Sequence, residues 1–316
     1  MRSEAVLGLW QDRAPDEALD TARIAEDLGY RRLWIGEMVT YDAFALATAV
    51  AASTRSIEPV VGPLAVTVRS AANIAMGVAS VTSLTGRTAH VALGTSSKVV
   101  VERWHGRSRA GGPDQLGASA RSVRALLAGE RDPVSGFRLR LPPTPATIHI
   151  AAFGARAIEA AADHADRMLL NMVTPTAAAD FRRLLDAAGG RDVPLSAWLV
   201  TAVDPTPADL AQIRSAVVGY LSAPGYGEMF AAAGYGALVE RARAGTHPRD
   251  LLESIPDGFE RSVGLVGSKP EIETLIADYR DAGLDAVCVV PVTASGDRGR
   301  NALAVVADLT DAIGAG

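Results

Sequence analysis

Residues 147–176, TIHIAAFGARAIEAAADHADRMLLNMVTPT, decide the fold of this chain. Their apolar spacing predicts a strand near 148–152, a helix over 155–164 and a second strand near 168–172, with Gly154 turning the chain between the first two. Two strands joined by a helix usually run parallel, so the loops that follow them meet at one edge of the sheet. The stretch therefore predicts a ligand site after its two strands.

The start of the helix in this stretch is suited to an anion. The N–H groups of Gly154, Ala155 and Arg156 have no acceptor within the helix, and the helix dipole favours negative charge there. Arg156 adds a guanidinium and Thr174 a hydroxyl. We therefore predict a phosphate site formed by these four residues. The simpler alternative is that Gly154 only turns the chain and Arg156 faces solvent.

The same alternation of strand and helix runs through the whole chain. Apolar runs predict six further strands, near 5–10, 31–38, 57–68, 88–93, 195–203 and 285–291. Eight alternating units at this length favour one closed (β/α)8 TIM barrel over an open sheet, and no GxGxxG opens a helix after the first strand as a Rossmann fold requires. We predict a single domain, 1–316, with insertions at about 103–117, 129–146 and 204–268. The second insertion is predicted to form a hairpin that turns at Ser135-Gly136, and the third to be divided by prolines into helical pieces.

The composition excludes several classes of protein. Of 316 residues, 48% are hydrophobic and 21% charged, and the net charge is -5, which is typical of a soluble globular protein and not of a nucleic-acid-binding surface. The single cysteine, Cys288, allows no internal disulfide and lies in an apolar run that predicts a core position. The chain has no leader-like or membrane-length apolar segment and no metal-ligand spacing of His, Cys, Asp and Glu. We therefore expect a cytoplasmic protein without a metal ion.

Six segments in order resemble one family over nearly the whole chain. The chain is similar to the bacterial luciferase-like family of flavin- or deazaflavin-dependent barrel enzymes. The stretch GTSSKVVVERWHGR (94–107) resembles the actinobacterial branch that uses coenzyme F420, a deazaflavin, although other members use FMN. The six segments are AEDLGYRRLWIGE (25–37), VVGPLAV (60–66), SLTGRTAHVALGTSS (83–97), GERDPVSGFRLRLPP (129–143), IAAFGAR (150–156) and VGSKPEIETLIADYRDAGLDAVCVVP (266–291).

The resemblance implies where the cofactor would bind. Its phosphate would be held by N–H groups after strand five and a hydroxyl after strand six, which are the residues of the predicted phosphate site. The ring would rest on a bulge of strand three, which in the family often contains a non-proline cis peptide, here expected at Leu64-Ala65. The residues concerned are Gly62, Pro63, Leu64 and Ala65 at the bulge, with Thr95, Ser96 and Phe153 at the ends of strands four and five.

The candidate catalytic residues depart from those of the family's sugar-phosphate dehydrogenases. Those enzymes have a histidine at the end of strand two and a carboxylate after strand four, where this chain has Met38 and Ser96-Ser97. Because a methionine cannot transfer a proton, sugar-phosphate oxidation by that mechanism is not expected. The residues that remain near these positions are Glu37, Tyr41, Asp42, Thr95, Ser97, Glu102 and His105. The catalytic candidates among them are Glu37, as a ring-facing carboxylate or proton donor or else a salt-bridge partner, and His105, as an acid or base or a solvated loop residue.

Three functions fit these observations. The first is an F420-dependent oxidoreductase that transfers a hydride between the deazaflavin and a small organic substrate, with Lys98, Arg107 and Arg109 facing the anionic tail of F420. The second is an FMN-dependent monooxygenase, and the third is a barrel that binds a flavin or deazaflavin without turnover. A GxSxG nucleophile elbow is absent, which argues against acyl transfer. We also expect a homodimer, because the apolar helices near 43–52 and 71–81 exceed what one barrel buries.

Overall fold

The computed structural model is a closed barrel of parallel strands. It describes residues 1–10, 12–14, 16–37 and 39–314, with only the backbone described for 311–314. Within these ranges eight strands close the ring in the order β1-β2-β3-β4-β5-β6-β7-β9, and a short extra strand, β8, pairs with the second half of β7. The (β/α)8 fold predicted from the alternation is confirmed. The strands are Arg2–Val6 (β1), Arg32–Ile35 (β2), Glu58–Ala65 (β3), His90–Gly94 (β4), Ile148–Ala151 (β5), Arg167–Asn171 (β6), Leu195–Val203 (β7), Gly264–Gly267 (β8) and Ala286–Pro291 (β9).

Helices connect the strands and cover the outside of the barrel. In the described part of the chain, no helix is long and apolar enough to cross a membrane. Two π-helical turns, Val99–Trp104 and Ala231–Tyr235, interrupt the regular pattern. The helices are Glu17–Asp27 (α1), Ala43–Ser53 (α2), Ala71–Thr85 (α3), Gly112–Leu127 (α4), Ala155–His164 (α5), Pro175–Ala187 (α6), Pro207–Val218 (α7), Tyr226–Phe230 (α8), Gly236–Arg243 (α9), Pro248–Leu252 (α10), Phe259–Ser262 (α11), Lys269–Asp281 (α12) and Arg300–Gly314 (α13).

The insertion between α4 and β5 contains no hairpin, so that prediction is wrong. Residues 128–147 form no strand. Asp132 organises a turn instead, because its carboxylate accepts the N–H groups of Val134 at 3.2 Å and Ser135 at 3.0 Å. Hydrogen bonds from the side chains of Ser122 and Ser135 lower the pKa of Asp132 to about 2. The prolines that follow cannot donate to a strand partner, which leaves this return segment irregular.

The long insertion after β7 is helical, as its prolines predict. It consists of α7 to α11, and the strand β8 at its end was not predicted from the sequence. Two buried side chains of α7 fasten it to the barrel. Gln212 accepts the N–H of Thr293 at 2.9 Å, and Asp209 accepts the N–H of Ser295 at 3.1 Å. The insertion is therefore fixed to the loop that follows β9.

The amino-terminal end of the barrel interior is polar, and we call it the barrel floor. At its centre, one oxygen of Glu4 lies 2.9 Å from Arg167 Nη1, and the other accepts the indole N–H of Trp34 at 2.7 Å. Charged and polar side chains from six adjacent strands thus meet in one network, of which Arg32 and Glu58 are partly exposed and the other four are buried. The floor residues are Glu4 on β1, Arg32 on β2, Glu58 on β3, His90 on β4, His149 on β5 and Arg167 on β6.

Two buried histidines of the floor are held neutral. Thr147 Oγ1 lies 2.9 Å from His90 Nδ1 and 3.0 Å from His149 Nε2. Burial, followed by the charges of Arg167 and Arg32, places the pKa of His149 well below its ordinary value. Burial, followed by the charge of Arg32, also lowers the pKa of His90. Protonation of either ring would therefore oppose folding.

Candidate functional site

The carboxyl ends of the strands and the loops that follow them form the barrel mouth. Strands β5 and β6 pair in parallel, with Ala151 opposite Leu169, so the loops containing Gly154 and Thr174 meet there as predicted. Helix α5 starts at Ala155 with Gly154 as its N-cap residue, and no described side chain caps it. A Cβ added to Gly154 would meet nothing within 4 Å. The space beside the start of α5 is therefore open at Gly154.

The start of α5, like that of α4, has no capping side chain, whereas α2, α3 and α7 each have one. Asp42 caps α2 by accepting the N–H groups of Phe44 and Ala45, each at 3.0 Å. Ser70 caps α3 and Thr206 caps α7 in the same manner. Unpaired N–H groups at a helix start carry partial positive charge, which side chains normally satisfy. The uncapped start of α5 is thus free to accept an external anion.

The two other predicted phosphate ligands behave differently from each other. Thr174 caps α6 by accepting the N–H of Ala177 at 3.0 Å, which leaves its hydroxyl hydrogen free to donate. The guanidinium of Arg156 instead binds both oxygens of Asp114, at 2.7 and 2.8 Å, and 70% of the Arg156 side chain is exposed. The Arg156 side chain is therefore directed toward α4. This residue offers the phosphate site its backbone N–H and not the charged group that the sequence suggested.

Phe153 joins an aromatic group that sequence reasoning missed. Its ring stacks on Tyr226 with centroids 4.3 Å apart and meets Phe181 edge-on at 4.9 Å. The Tyr226 hydroxyl accepts a hydrogen bond from Asn171 Nδ2 at 3.1 Å, and burial raises the pKa of Tyr226 above its ordinary value. These contacts place α8 over the ends of β5 and β6. The only signal in the sequence was the tyrosine pair Tyr220 and Tyr226 within the long insertion.

Strand β3 carries the predicted bulge, but the cis peptide lies elsewhere. The register against β4 shifts between Val61 and Leu64. The cis bond is Gly62-Pro63, so the expected cis bond at Leu64-Ala65 is wrong. Gly62 has a φ of +119°, and a Cβ there would lie 2.3 Å from the carbonyl oxygen of Ala92. Only glycine fits this close approach of two strands.

The loop after β4 is held by Arg109, one of the basic residues expected to face the anionic tail of F420. Arg109 donates to Thr95 Oγ1 at 3.3 Å and to the carbonyl oxygen of Ser96 at 2.8 Å. Lys98 lies 3.8 Å from Glu102 across the π-helical turn. His105 follows that turn and is exposed. Thr95 and Ser96 thus stand at the end of β4 in a loop held by Arg109, and His105 is an exposed residue further along it.

Glu37, the first catalytic candidate, is paired with an arginine. Arg69 Nε lies 2.9 and 3.1 Å from the two carboxylate oxygens of Glu37, and its Nη2 binds both Glu37 and Asp42. These hydrogen bonds, those with Glu37 first, raise the pKa of Arg69 above its ordinary value. The salt-bridge alternative for Glu37 is therefore the arrangement observed. Met38, which occupies the position of the family histidine, lies outside the described residues.

Among the described residues, no group of three or more His, Cys, Asp and Glu side chains could hold a metal ion. The groups gathered at the mouth are helix N–H donors, hydroxyls, aromatic rings and carboxylates paired with arginines, namely Glu37 and Asp42 with Arg69 and Asp114 with Arg156. Such groups bind and orient a ligand and do not by themselves perform redox chemistry.

A parallel barrel with its ligand-binding groups at the carboxyl ends of the strands defines a broad class of enzymes. The sequence profile of one family in that class, described as luciferase-like monooxygenase, matches residues 4–286. The chain therefore belongs to the luciferase-like family. No curated protein sequence gave a significant match.

Solved structures share this fold at low sequence identity. An F420-dependent secondary alcohol dehydrogenase in complex with an F420-acetone adduct superposes with a TM-score of 0.75 at 15% identity, covering 99% of this chain and 98% of the other. The coenzyme F420-dependent tetrahydromethanopterin reductase from Methanopyrus kandleri gives 0.73 at 15%, with 97% and 98% coverage. The oxygenating constituent of 3,6-diketocamphane monooxygenase from Pseudomonas putida, in complex with FMN, gives 0.65 at 14%, with 97% and 96% coverage.

Proposed function

We propose that this protein is an F420-dependent oxidoreductase that transfers a hydride between the deazaflavin and a small organic substrate. The observation that carries the proposal is the uncapped start of α5 at the barrel mouth, with open space beyond Gly154 and a free hydroxyl hydrogen on Thr174. A ten-residue helix with unpaired N–H groups at its start is a site for a phosphate. Both F420 and FMN contain such a phosphate, so either cofactor would suit this site.

The charges beside the phosphate site favour F420 over FMN. Lys98, Arg103 and Arg107 are exposed in the loop after β4, and Glu102 is the one acidic residue among positions 98–109. F420 carries an acidic glutamyl tail beyond its phosphate, whereas FMN ends at the phosphate. A basic loop on this side of the mouth would make binding more favourable for F420, which is the longer and more negative of the two cofactors. Two of the structures described above are of F420-dependent enzymes, which agrees with this choice.

The protein's own residues would bind and orient the cofactor. The N–H groups of Gly154, Ala155 and Arg156 and the Thr174 hydroxyl would hold the phosphate, and the β3 bulge at Gly62, Pro63, Leu64 and Ala65 would support one face of the ring. When bound, the deazaflavin supplies the atom that gives or accepts the hydride. Thr95, Ser96 and Phe153 would form the neighbouring walls. Because Glu37 is engaged by Arg69, His105 remains the candidate acid or base, and it would need to turn inward from its exposed position.

The remaining parts of the proposal concern assembly and location. We propose a homodimer, because Met76 and Leu84 on the outer face of α3 are 44% and 75% exposed in the single chain. Such a surface is often covered by a second copy. Sedimentation velocity would test this, and a monomer at micromolar concentration would contradict it. The expectation of a cytoplasmic protein stays a prediction from the sequence.

FMN-dependent monooxygenation is the second candidate. It is favoured by the same phosphate site and by the FMN complex of the diketocamphane enzyme described above. The oxidoreductase and the monooxygenase differ in their cofactor. A deazaflavin transfers hydride, while a reduced flavin also reacts with oxygen. Cofactor preference is therefore the deciding measurement.

The experiment is a titration of the purified protein with F420 and, separately, with FMN, followed by quenching of tryptophan fluorescence. We expect micromolar binding of F420 and weaker binding of FMN. Tighter binding of FMN would transfer the proposal to a monooxygenase. Failure of both cofactors to bind would reject the class of function as a whole.

A further inference from the structure

A cluster of charged side chains lies at the mouth beside the ends of β2 and β3, where Arg69 binds both Glu37 and Asp42. Arg69 belongs to the turn that follows β3, and its own N–H donates to the carbonyl oxygen of Ala65 at 2.9 Å. Its backbone is therefore fixed to the end of the strand that carries the bulge. The side chain reaches from there to the neighbouring loop between β2 and α2.

The guanidinium closes that loop at both ends. Nε and Nη2 bind the carboxylate of Glu37, directly after β2, and Nη2 also binds Asp42, directly before α2. The side chains of Arg69 and Glu37 are only 22% and 20% exposed. Fixing both ends of a six-residue segment removes most of its conformational freedom. We call Arg69, Glu37 and Asp42 the clamp.

Each partner of the clamp is itself held in place. The second oxygen of Asp42 caps α2 through the N–H groups of Phe44 and Ala45. Burial alone would raise the pKa of Asp42, but the N–H of Ala45 and the guanidinium of Arg69 together lower it. Arg69 Cζ lies 5.4 Å from the centre of the Phe44 ring, which adds a cation–π contact. The clamp is thus continuous with the first turn of α2.

Only an arginine can make this set of contacts. A planar guanidinium binds one carboxylate through two nitrogens and a second carboxylate through the same fork, while an ammonium group is a single point charge. The residues between the ends of the segment include Val39 and Tyr41, which are 48% and 39% exposed. These side chains are therefore presented at the mouth and not packed into the core.

We propose that Arg69 is a positioning residue, which through Glu37 and Asp42 holds Glu37 and residues 39–42 in the conformation that lines one side of the cofactor site. The cofactor part of this inference rests on the proposed function. It assigns Glu37 to the scaffold of the site and not to proton transfer. It also makes Arg69, which no sequence pattern singled out, the residue on which the β2–α2 loop depends.

The test compares Arg69→Lys, which keeps the charge but loses the fork, and Asp42→Asn, which keeps the cap of α2 but loses the ion pair. Arg55→Lys is the matched control, because Arg55 also pairs with two carboxylates, at Glu26 and Asp27, but is 80% exposed. Amide hydrogen exchange of peptides covering 37–45 is measured without cofactor. F420 affinity is then measured by tryptophan quenching, and melting temperature and far-ultraviolet circular dichroism report the overall fold.

We expect at least tenfold faster exchange of residues 37–45 in Arg69→Lys and in Asp42→Asn, with peptides from β5 and β6 unchanged, and at least tenfold weaker F420 binding. Wild-type exchange rates in both variants would overturn the inference. Faster exchange with wild-type F420 affinity would also overturn it, because the clamp would then have no role in the cofactor site. If wild-type protein binds neither F420 nor FMN, the proposed function fails. Hydrogen exchange then tests only whether the clamp holds the β2–α2 loop. Faster exchange in the variants supports this role, and unchanged exchange contradicts it.

Discussion

The charged groups of the barrel floor are gathered in one network, whereas the start of α5 at the barrel mouth is left open. At the floor, Glu4 binds both Arg167 and Trp34, and two histidines share the hydroxyl of Thr147. At the mouth, the start of α5 has no capping side chain and open space beyond Gly154. Polar groups that satisfy one another stabilise or specify a fold, while those left open can bind a ligand. Substitutions at the floor should therefore change stability, and substitutions at the mouth should change affinity.

The largest effect is expected from Glu4→Gln at the floor. The substitution leaves the buried guanidinium of Arg167 without a counter-charge, which costs about 3 kcal/mol or more of unfolding free energy. Urea denaturation would measure this loss. The matched control is Glu253→Gln, an exposed residue of similar size, which should stay near wild type. Wild-type stability of Glu4→Gln would show that the floor network does not stabilise the barrel.

The next effect is a loss of stability in acid. The pKa of His149 is lowered in the folded state, so between that value and the unfolded value of about 6.5 the unfolded chain binds more protons. The unfolding free energy should then fall as pH decreases below about 6.5, by at most about 1.4 kcal/mol per pH unit for one histidine.

Denaturation at several pH values between 7.5 and 5 would measure this dependence, with His149→Gln as the comparison. Unfolded carboxylates titrate mainly below about pH 5, so this window isolates the histidines. Arg167, Arg32 and His90 disfavour protonation of His149, and the carboxylates Glu4 and Glu58 belong to the same floor network. An equal pH dependence in His149→Gln and wild type would assign the effect to another group.

At the mouth, Gly154→Val should weaken F420 binding at least tenfold, which is about 1.4 kcal/mol. Gly154 has a φ of -109° and a free Cβ direction, so valine fits the fold but fills the space in front of the α5 N–H groups. The melting temperature should stay near wild type. Gly236→Val, another glycine with open space at its Cβ, is the control. Unchanged F420 affinity in Gly154→Val would contradict the proposal that the start of α5 binds the phosphate.

The smallest effect is expected from Arg156→Ala. Its guanidinium binds Asp114 at an exposed position, and such pairs contribute between 0 and about 1 kcal/mol. F420 affinity should change less than threefold, and stability should change by less than about 0.5 kcal/mol. The same titration and denaturation experiments measure both. A tenfold loss of affinity would mean that the side chain leaves Asp114 and joins the phosphate.

The strand pattern allowed the barrel and the location of its mouth to be predicted from the sequence. Gly154 and Thr174 each follow a strand, and parallel pairing alone brings their loops together. The open start of α5 could also be predicted, because Gly154 has no side chain to cap it. What the sequence predicted well were features that depend on neighbours along the chain.

Partners distant in sequence could not be predicted in this way. Arg69 binds Glu37 across 32 positions, and Arg156 binds Asp114 across 42, so nothing local shows which charge each meets. The contact of Phe153 with Tyr226 depends on how the long insertion folds back over the mouth. The hairpin prediction failed because the single side chain of Asp132 organises its turn without a partner strand.

The position of Cys288 has a practical consequence. The chain has one thiol, fully buried on β9 inside the barrel, and burial raises its pKa well above the ordinary value. A reagent that modifies thiols can reach it only when the strands separate. The rate of modification in native buffer would therefore measure how often the barrel opens, and it needs no introduced cysteine.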